Sequence, residues 1–268
     1  MFERFFLIAG PCVLEGDDLN LKIARNLASL RDELAIPVIF KASFDKANRA
    51  LLESPRGPGL TAGLDQLKHI KDETGLPVLT DIHEPNQAEV AAEIVDVLQI
   101  PAFLCRQTDL LVGAASTGSP VNIKKGQWMA PEEIEGAVEK LRKSGAKEVA
   151  VTERGSVHGY GDLVVDMRSF SRIRVRAKVP VIFDATHSVQ RPGHASGSSG
   201  GNPEHILSLA RAAVASGCEG LFVETHPHPA AAPSDGANML PLNELSDLLR
   251  EALAVRAALG FENEQGSV

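Results

Sequence analysis

Short apolar runs rich in β-branched residues alternate with amphipathic stretches along the whole chain. The runs are almost continuously apolar, which is typical of parallel strands covered on both faces. Eight strands are predicted, at Phe5–Ala9, Pro37–Lys41, Pro77–Asp81, Val97–Pro101, Val121–Lys124, Glu148–Glu153, Pro180–Asp184 and Gly220–Glu224. The amphipathic stretches predict helices, most clearly at Leu19–Leu34, Leu64–Thr74, Pro131–Lys143, Pro203–Ser216 and Leu242–Leu259.

Eight strand–helix units in 268 residues favour an α/β fold of the (β/α)8 TIM-barrel type, as a single domain over residues 1–268. The alternative is a doubly wound open sheet, which usually has fewer strands. Such a sheet often carries a G-x-G-x-x-G turn after its first strand. The first predicted turn here is Gly10-Pro11-Cys12, which lacks that pattern.

Composition and charge exclude several classes of protein. The chain is 44% hydrophobic and carries a net charge of −8, so it lacks the basic character of a nucleic-acid-binding surface. No apolar run approaches the roughly 20 residues of a membrane span, and the Phe5–Ile8 run is too short for a signal peptide. We therefore expect a cytoplasmic protein. Its three cysteines are then expected to be thiols or metal ligands rather than disulfides.

Three connecting segments are predicted as loops, at Ser54–Gly63, Ser188–Asn202 and Pro227–Asn238. The second is rich in glycine and serine, so we expect it to be mobile. It would serve either as a lid over a site or as a plain flexible connection.

Charged side chains follow the predicted strands, where a barrel places its catalytic groups. The cationic ones are Lys41, Lys46, Arg49, Arg106, Lys124 and Arg154. Either these cations form ion pairs with acidic residues such as Asp81, Asp184 and Glu153, or they bind anions. Because lysine and arginine are suited to phosphate and carboxylate groups, the whole set favours an anion site.

A second set combines a soft ligand with harder ones: Cys12, His187, Glu224 and Asp235. A thiolate, an imidazole and two carboxylates would suit a divalent first-row metal ion. These residues follow no recognised ligand spacing. For Cys12, the alternative is the role of a small buried apolar side chain, which is how most free cysteines behave.

Ten stretches of the chain together resemble the 3-deoxy-D-manno-octulosonate 8-phosphate synthase family. They are IAGPC (8–12), FKASFDKANR (40–49), TDIHE (80–84), QIPAFLCRQTDLL (99–111), VNIKKGQW (121–128), TERG (152–155), GYGDLVVDMRS (159–169), VIFDATHSVQ (181–190), SGG (199–201) and ETHPHP (224–229). KANR and PAFLCRQTDL are the most specific of these stretches. The resemblance covers essentially the whole chain.

The resemblance implies a homo-oligomeric TIM barrel, expected to be a homotetramer. It implies a transferase that condenses phosphoenolpyruvate with arabinose 5-phosphate and releases phosphate, in the synthesis of Kdo for lipopolysaccharide. It also implies that phosphoenolpyruvate is held by Lys41, Lys46, Gln99, Lys124 and Arg154. The aldose phosphate is expected to be held by Asn48 and Arg49, and by Arg106 reaching in from a neighbouring subunit.

The same resemblance implies a metal site. The family has a metal-dependent class with cysteine at the position of Cys12 and a metal-independent class with asparagine there. This chain has the cysteine, and His187, Glu224 and Asp235 stand at the matching positions. The expected ion is divalent, with Mn²⁺, Fe²⁺, Co²⁺, Zn²⁺ and Cd²⁺ as candidates.

The chemistry assigns further roles. Lys46 is expected to donate to the aldehyde oxygen as that oxygen becomes negative. Asp81 or Asp235 is expected to take a proton from the attacking water, and His187 to link metal and substrate.

One position departs from the family pattern. Many members read KANRS, whereas this chain has Ala50 after Arg49. We expect weaker aldose binding for want of one hydrogen bond.

Two rival functions remain at this stage. One is 3-deoxy-D-arabino-heptulosonate 7-phosphate synthase, a sister enzyme that uses erythrose 4-phosphate. Its stretch after the second strand resembles KPRTS rather than KASFDKANR, which disfavours it. The other rival is a non-catalytic barrel that binds metal or phosphate.

Overall fold

Eight parallel strands close into a barrel in the computed structural model, which describes residues 1–49, 51–158, 161–191 and 200–261. The strands are β1 (Phe6–Val13), β2 (Val38–Ser43), β3 (Val78–Asp81), β4 (Val97–Ile100), β5 (Val121–Lys124), β6 (Val149–Glu153), β7 (Val181–Asp184) and β8 (Gly220–His226). Each pairs with the next, and β8 pairs with β1 through registers such as Phe6 opposite Gly220. The predicted (β/α)8 barrel is confirmed.

Eight α-helices alternate with these strands: α1 (Asp17–Leu34), α2 (Leu60–Thr74), α3 (Gln87–Ala92), α4 (Thr108–Ser116), α5 (Glu135–Lys143), α6 (Ser169–Ala177), α7 (Ile206–Ala215) and α8 (Leu245–Ala258). Three of them are entered through a 3₁₀ turn, and two of those turns begin with a proline, Pro131 and Pro203. Proline suits a first helical position because its missing N–H would be unpaired there.

The alternation of side chains along the strands divides the core in two. One cluster fills the barrel interior and consists of Phe2, Phe6, Ile8, Ile39, Leu79, Val97, Ala150, Ile182 and Phe222. A larger cluster lies between the strands and the helices and includes Leu7 and Ala9 of β1. The interior cluster reaches a charged side chain at Phe222, where the Nζ of Lys124 lies 3.6 Å from the centroid of the ring.

Two predicted boundaries are wrong by four residues. The first strand does not end before Gly10 but continues to Val13, with a shift of register against β2 between Ala9 and Cys12. The second helix begins at Leu60, so the loop predicted over Ser54–Gly63 ends earlier. Gly59, just before it, has a φ of +85°, which its lack of a side chain permits.

The loops at the carboxyl ends of the strands carry a little further structure. Gln190–Arg191 pairs antiparallel with Gly200–Gly201. The intervening part of the loop predicted over Ser188–Asn202, where mobility was expected, lies outside the described residues. Among the described residues, no helix is both long and apolar enough to cross a membrane.

Candidate active site and metal centre

The backbone of β1 brings Cys12 into the site through an unusual conformation. Cys12 has a φ of +73°, which is uncommon for a residue other than glycine. Cys12 follows the register shift, and Gly10, two residues earlier, lies against β2. A Cβ on Gly10 would stand 1.9 Å from the carbonyl oxygen of Lys41. Only glycine permits this approach, which seats Cys12 over the carboxyl end of the barrel.

Cys12, Glu224 and Asp235 form a compact group of possible metal ligands. One ligand atom from each lies within 4.8 Å of the others. Glu224 belongs to β8, whereas Asp235 lies in the following loop with a φ of +52°. The Sγ of Cys12 lies 3.3 Å from Oδ2 of Asp235, within hydrogen-bond distance. All three cysteines of the chain are free and buried, as expected.

The donor chemistry of this group fits a divalent cation. Burial and the charge of Glu224 raise the pKa of the Cys12 thiol, so the thiol stays protonated beside two carboxylates. A divalent cation placed among them would supply the missing positive charge, and a coordinating thiol loses its proton. One sulfur and two carboxylate groups suit a transition metal better than Mg²⁺ or Ca²⁺, which prefer oxygen alone.

His187 stands beside this group, oriented by a buried carboxylate. Its Nε2 lies 3.5 Å from Glu224 Oε2, while its Nδ1 lies 2.7 Å from Asp184 Oδ2. The backbone N–H of His187 donates to the other oxygen of Asp184 over 2.8 Å. Histidines that bind metal ions commonly donate their second ring N–H to such a carboxylate. Nε2 of His187 thus faces Glu224, but His187 is not one of the three residues whose ligand atoms lie within 4.8 Å of one another.

Asp184 also holds Lys124. The Nζ of Lys124 donates to Asp184 Oδ2 over 2.6 Å. Burial lowers the pKa of Lys124, and the neighbouring carboxylate opposes that shift. For Asp184 itself, burial favours the neutral form, but His187 and Lys124 outweigh it and lower the pKa of the carboxyl.

A second buried network joins Lys41, Asp81 and Gln99. Lys41 Nζ donates to the carbonyl of Cys12 over 3.0 Å and to Glu224 Oε1 over 3.2 Å. It also lies 3.6 Å from Asp81 Oδ2. Asp81 accepts hydrogen bonds from the side chains of Ser43 and Gln99. Burial alone would raise the pKa of Asp81, but Lys41 and Lys46 lower it.

Several of these residues, including Lys41, Asp81 and His187, border a cavity of about 580 Å³ at the carboxyl end of the barrel. Its charged lining is predominantly cationic. The cations are Lys41, Lys46, Arg49, Lys124 and Arg154, and the carboxylates are Asp81 and Asp235. Burial favours neutral Lys46, but the carboxylates of Glu224, Asp81 and Asp235 raise its pKa. Lys46 is therefore charged, and the cavity suits small anions.

Hydrogen bonds hold the loop after β8 against both sides of the cavity. Arg154, whose pKa burial lowers, donates to Gln190 Oε1 over 2.5 Å. Gln190 in turn donates to Asp235 Oδ1 over 3.0 Å. On the opposite side, Arg49 donates to Ser234 Oγ over 2.8 Å.

Most of the expected site residues line this cavity, but Cys12 and Glu224 are not among its lining residues. Asn48 and Gln99 line it with the cations. Arg106 is exposed and outside the lining residues. Lys125 and Glu153, also at strand ends, are 3.6 Å apart in a separate buried pair. Ala50 lies outside the described residues.

Comparison with known proteins places the chain in a family. The DAHP synthetase I family matches residues 3–258. The chain belongs to the DAHP synthetase I family.

Within that family, several relatives share one name. A protein of Cyanothece sp. PCC 7425 is 53% identical over 97% of this chain and 94% of its own length. One of Syntrophotalea carbinolica is 53% identical over 96% and 93%. One of Koribacter versatilis is 54% identical over 96% and 92%. All three are named 2-dehydro-3-deoxyphosphooctonate aldolase, another name for the synthase family that the sequence motifs resemble. The resemblance is therefore confirmed.

Sequence reasoning missed several residues that shape the site of this family member. They are Ser43, Asn122, Gln190, Phe222 and Ser234. Ser43, Asn122 and Gln190 carried a signal, since they lie in the FKASFDKANR, VNIKKGQW and VIFDATHSVQ stretches. Ser234 directly precedes Asp235, but a serine in a loop between strand and helix is too common to stand out.

Proposed function

We infer that this chain condenses phosphoenolpyruvate with arabinose 5-phosphate and water, giving 3-deoxy-D-manno-octulosonate 8-phosphate and inorganic phosphate. The observation that carries this inference is the full-length similarity to 2-dehydro-3-deoxyphosphooctonate aldolases at 51–54% identity. The cationic cavity supports it independently, since both organic substrates are anions. The product is a precursor of lipopolysaccharide.

Phosphoenolpyruvate is assigned to the deep part of the cavity, against Lys41, Lys46, Gln99, Lys124 and Arg154. Nη1 of Arg154 is buried and has no hydrogen-bond partner among the described residues. An unpaired buried donor costs free energy until an acceptor fills the space. A phosphate or carboxylate oxygen would be such an acceptor, and this supports the role of Arg154.

Asn48 and Arg49 are assigned to the aldose phosphate. Asn48 is exposed at the cavity wall, and Arg49 is half-buried. They follow β2 on the side facing the loop after β8. This leaves the aldehyde end of the sugar to point inward, toward Lys46 and the group of Cys12, Glu224 and Asp235.

The charges of the cavity suit the chemistry. Carbon 3 of phosphoenolpyruvate forms a bond to the aldehyde carbon, water adds at carbon 2, and the adduct collapses to a ketone as phosphate leaves. Negative charge develops on the aldehyde oxygen, and a preorganised cation lowers the free energy of that transition state. Lys46 is such a cation, since its pKa is raised by the surrounding anionic groups.

Cys12, His187, Glu224 and Asp235 would hold the divalent metal ion, with Mn²⁺, Fe²⁺, Co²⁺, Zn²⁺ and Cd²⁺ as candidates. When bound, the ion supplies a Lewis acid that polarises or orients an oxygen ligand. Asp184 fixes the ring of His187 for this role.

Asp81 and Asp235 are assigned as acceptors of the proton from the attacking water. Both line the cavity. In each case burial favours the neutral carboxyl, but neighbouring positive charges outweigh burial and lower the pKa. Both carboxylates are therefore ionised at neutral pH. Asp81 has no place in the metal group, which leaves it free to act during turnover.

The homotetramer and the cytoplasmic location stay predictions. The whole chain is proposed to form one catalytic domain. The sister reaction with erythrose 4-phosphate is disfavoured by the names of the relatives and by the KASFDKANR stretch.

The test is the loss of phosphoenolpyruvate absorbance on adding arabinose 5-phosphate. Chelator-treated protein is compared with the same protein after Mn²⁺ is restored, and erythrose 4-phosphate is the control aldose. We expect turnover only with metal and the five-carbon sugar. Turnover without metal would contradict the metal role alone. Turnover with erythrose 4-phosphate instead would assign the sister reaction, and none with either sugar would indicate a binding protein.

A further inference from the structure

The hydroxyl of Ser234 joins two parts of the site that the proposed function keeps apart. Ser234 is 3% exposed and lies in the loop between β8 and α8. Its Oγ lies 2.8 Å from a guanidinium nitrogen of Arg49 and 3.2 Å from Cys12 Sγ. It also lies 3.1 Å from Asp235 Oδ2. One buried oxygen atom thus contacts the assigned phosphate ligand and two members of the metal group.

The hydrogen-bonding capacity of a hydroxyl limits how these contacts are shared. The oxygen has one proton to donate and two lone pairs to accept with. Arg49 can only donate, so it occupies one lone pair. Ser234 then donates its proton to Asp235 Oδ2, and the Cys12 thiol donates its own proton to the second lone pair of Ser234 Oγ. Every polar contact of the hydroxyl is satisfied in this arrangement.

The hydrogen bonds of the Ser234 hydroxyl must rearrange when Cys12 is a thiolate. A thiolate only accepts hydrogen bonds, and Ser234 is a donor already within 3.2 Å of the sulfur. Donation from Arg49 to the same oxygen strengthens the hydroxyl as a donor, because linked hydrogen bonds polarise one another. Ser234 can therefore turn its proton from Asp235 to Cys12 without losing its bond to Arg49.

We propose that Ser234 is a positioning residue that supports the Cys12 thiolate and orients Arg49 toward the aldose phosphate. The inference rests on the proposed function, since it takes Arg49 as a phosphate ligand and Cys12 as a metal ligand. Ser234 itself is assigned neither to a substrate nor to the metal ion. It acts through the two residues that are so assigned.

The second part of this role follows from the other contacts of Arg49. Its guanidinium also donates to the carbonyls of Pro55, over 2.9 Å, and Pro233, over 3.3 Å. On the side of the loop after β8, Ser234 therefore provides the shorter of two bonds. Without the Ser234 hydroxyl, the guanidinium keeps only the longer bond to Pro233 on that side. Its orientation for bidentate contact with phosphate is then less well defined.

The test compares Ser234→Ala with Ser234→Thr, which keeps the hydroxyl. The first readout is titration of metal-free protein with Co²⁺, followed by the absorption of the cobalt–thiolate bond, which needs no turnover. Loss of an outer hydrogen-bond partner typically weakens metal binding about 10- to 100-fold, and we expect a loss in this range for Ser234→Ala. The second readout is the KM for each substrate. We expect the KM for arabinose 5-phosphate to rise and that for phosphoenolpyruvate to stay unchanged.

The matched control is Ser208→Ala, which removes an exposed hydroxyl whose one hydrogen bond among the described residues goes to the carbonyl of His205. It should behave as wild type. Wild-type Co²⁺ affinity in Ser234→Ala would overturn the support of the thiolate, and an unchanged KM for the aldose would overturn the link to Arg49. A Ser234→Thr variant as impaired as Ser234→Ala would exclude the hydroxyl as the cause. Because the Co²⁺ titration does not require activity, failure of the proposed function would be seen separately.

Discussion

Cys12 reaches the carboxylates because its backbone departs from regular strand geometry. A residue in an ordinary strand would direct its side chain to one face of the barrel wall. The φ of +73° and the register shift at Ala9 instead turn the thiol toward Asp235. Left-handed conformations of residues other than glycine cost of order 1–3 kcal/mol and cluster at functional sites. A conformational cost of this size at Cys12 favours the role of a metal ligand over that of a packing residue.

The substitution Cys12→Ala tests this role. We expect loss of metal-dependent turnover and of Co²⁺–thiolate absorption, because the sulfur ligand is gone. The free energy of unfolding should fall by only about 1 kcal/mol, since alanine keeps the Cβ and the same backbone conformation. Turnover assays, Co²⁺ titration and urea denaturation measure the three quantities.

The control for Cys12→Ala is Cys218→Ala, another buried cysteine that lies in the core between strands and helices. It should lose stability to a similar extent and keep full activity. Full activity of chelator-treated Cys12→Ala protein would show that Cys12 is a packing residue.

At the scale of the element, the meeting of β1 and β2 is the local feature on which the site depends most. Gly10 lies against the carbonyl of Lys41, and Lys41 Nζ bonds back to the carbonyl of Cys12. The two strands thus fix each other at the point where each contributes a site residue. Glu224 of β8 is tied to the same lysine.

Gly10→Ala should disturb all three strands. The added Cβ would meet a backbone oxygen at 1.9 Å, and a backbone atom cannot swing aside as a side chain can. Overpacking costs typically 1–3 kcal/mol, and we expect about 3 kcal/mol of lost stability in denaturant unfolding, together with weaker Co²⁺ binding.

Gly136→Ala is the matched control for this strand variant. Gly136 lies in α5, and a Cβ there meets nothing within 4 Å. Alanine should therefore stabilise that helix by about 0.5–1 kcal/mol. If Gly10→Ala were as stable and active as wild type, the close approach of β1 to β2 would not be what seats Cys12.

The elements were largely predictable because covered parallel strands leave a strong sequence pattern. All eight strands were found, and their carboxyl ends correctly grouped most of the site. The shift at Gly10-Pro11 was not predictable, since a bulge depends on the partner strand. The short helix α3 (Gln87–Ala92) buries only Ala88 and Ala91, which is too narrow a stripe to recognise. Contacts such as Ser234 with Arg49 join residues 185 positions apart, and only the fold shows them.

At the scale of the whole molecule, the position of Arg106 bears on assembly. The side chain is exposed and makes no hydrogen bond among the described residues, although Lys140 donates to its backbone carbonyl over 3.2 Å. Arg106 also lies outside the lining of its own cavity. Such a residue suits the predicted homo-oligomer, in which Arg106 would complete the phosphate site of a neighbouring subunit.

Subunit mixing tests this arrangement. Arg106→Ala and Lys46→Ala proteins should each have little activity alone. Co-assembled in equal amounts, they should recover about one quarter of wild-type activity, because about that fraction of sites combines an intact Lys46 with an intact neighbouring Arg106. Lys46→Ala mixed with Lys124→Ala is the control and should recover nothing, since both residues line the same cavity. If the first mixture also recovered nothing while mixed oligomers were present, Arg106 would not act across a subunit boundary, and the phosphate would be held by its own subunit alone.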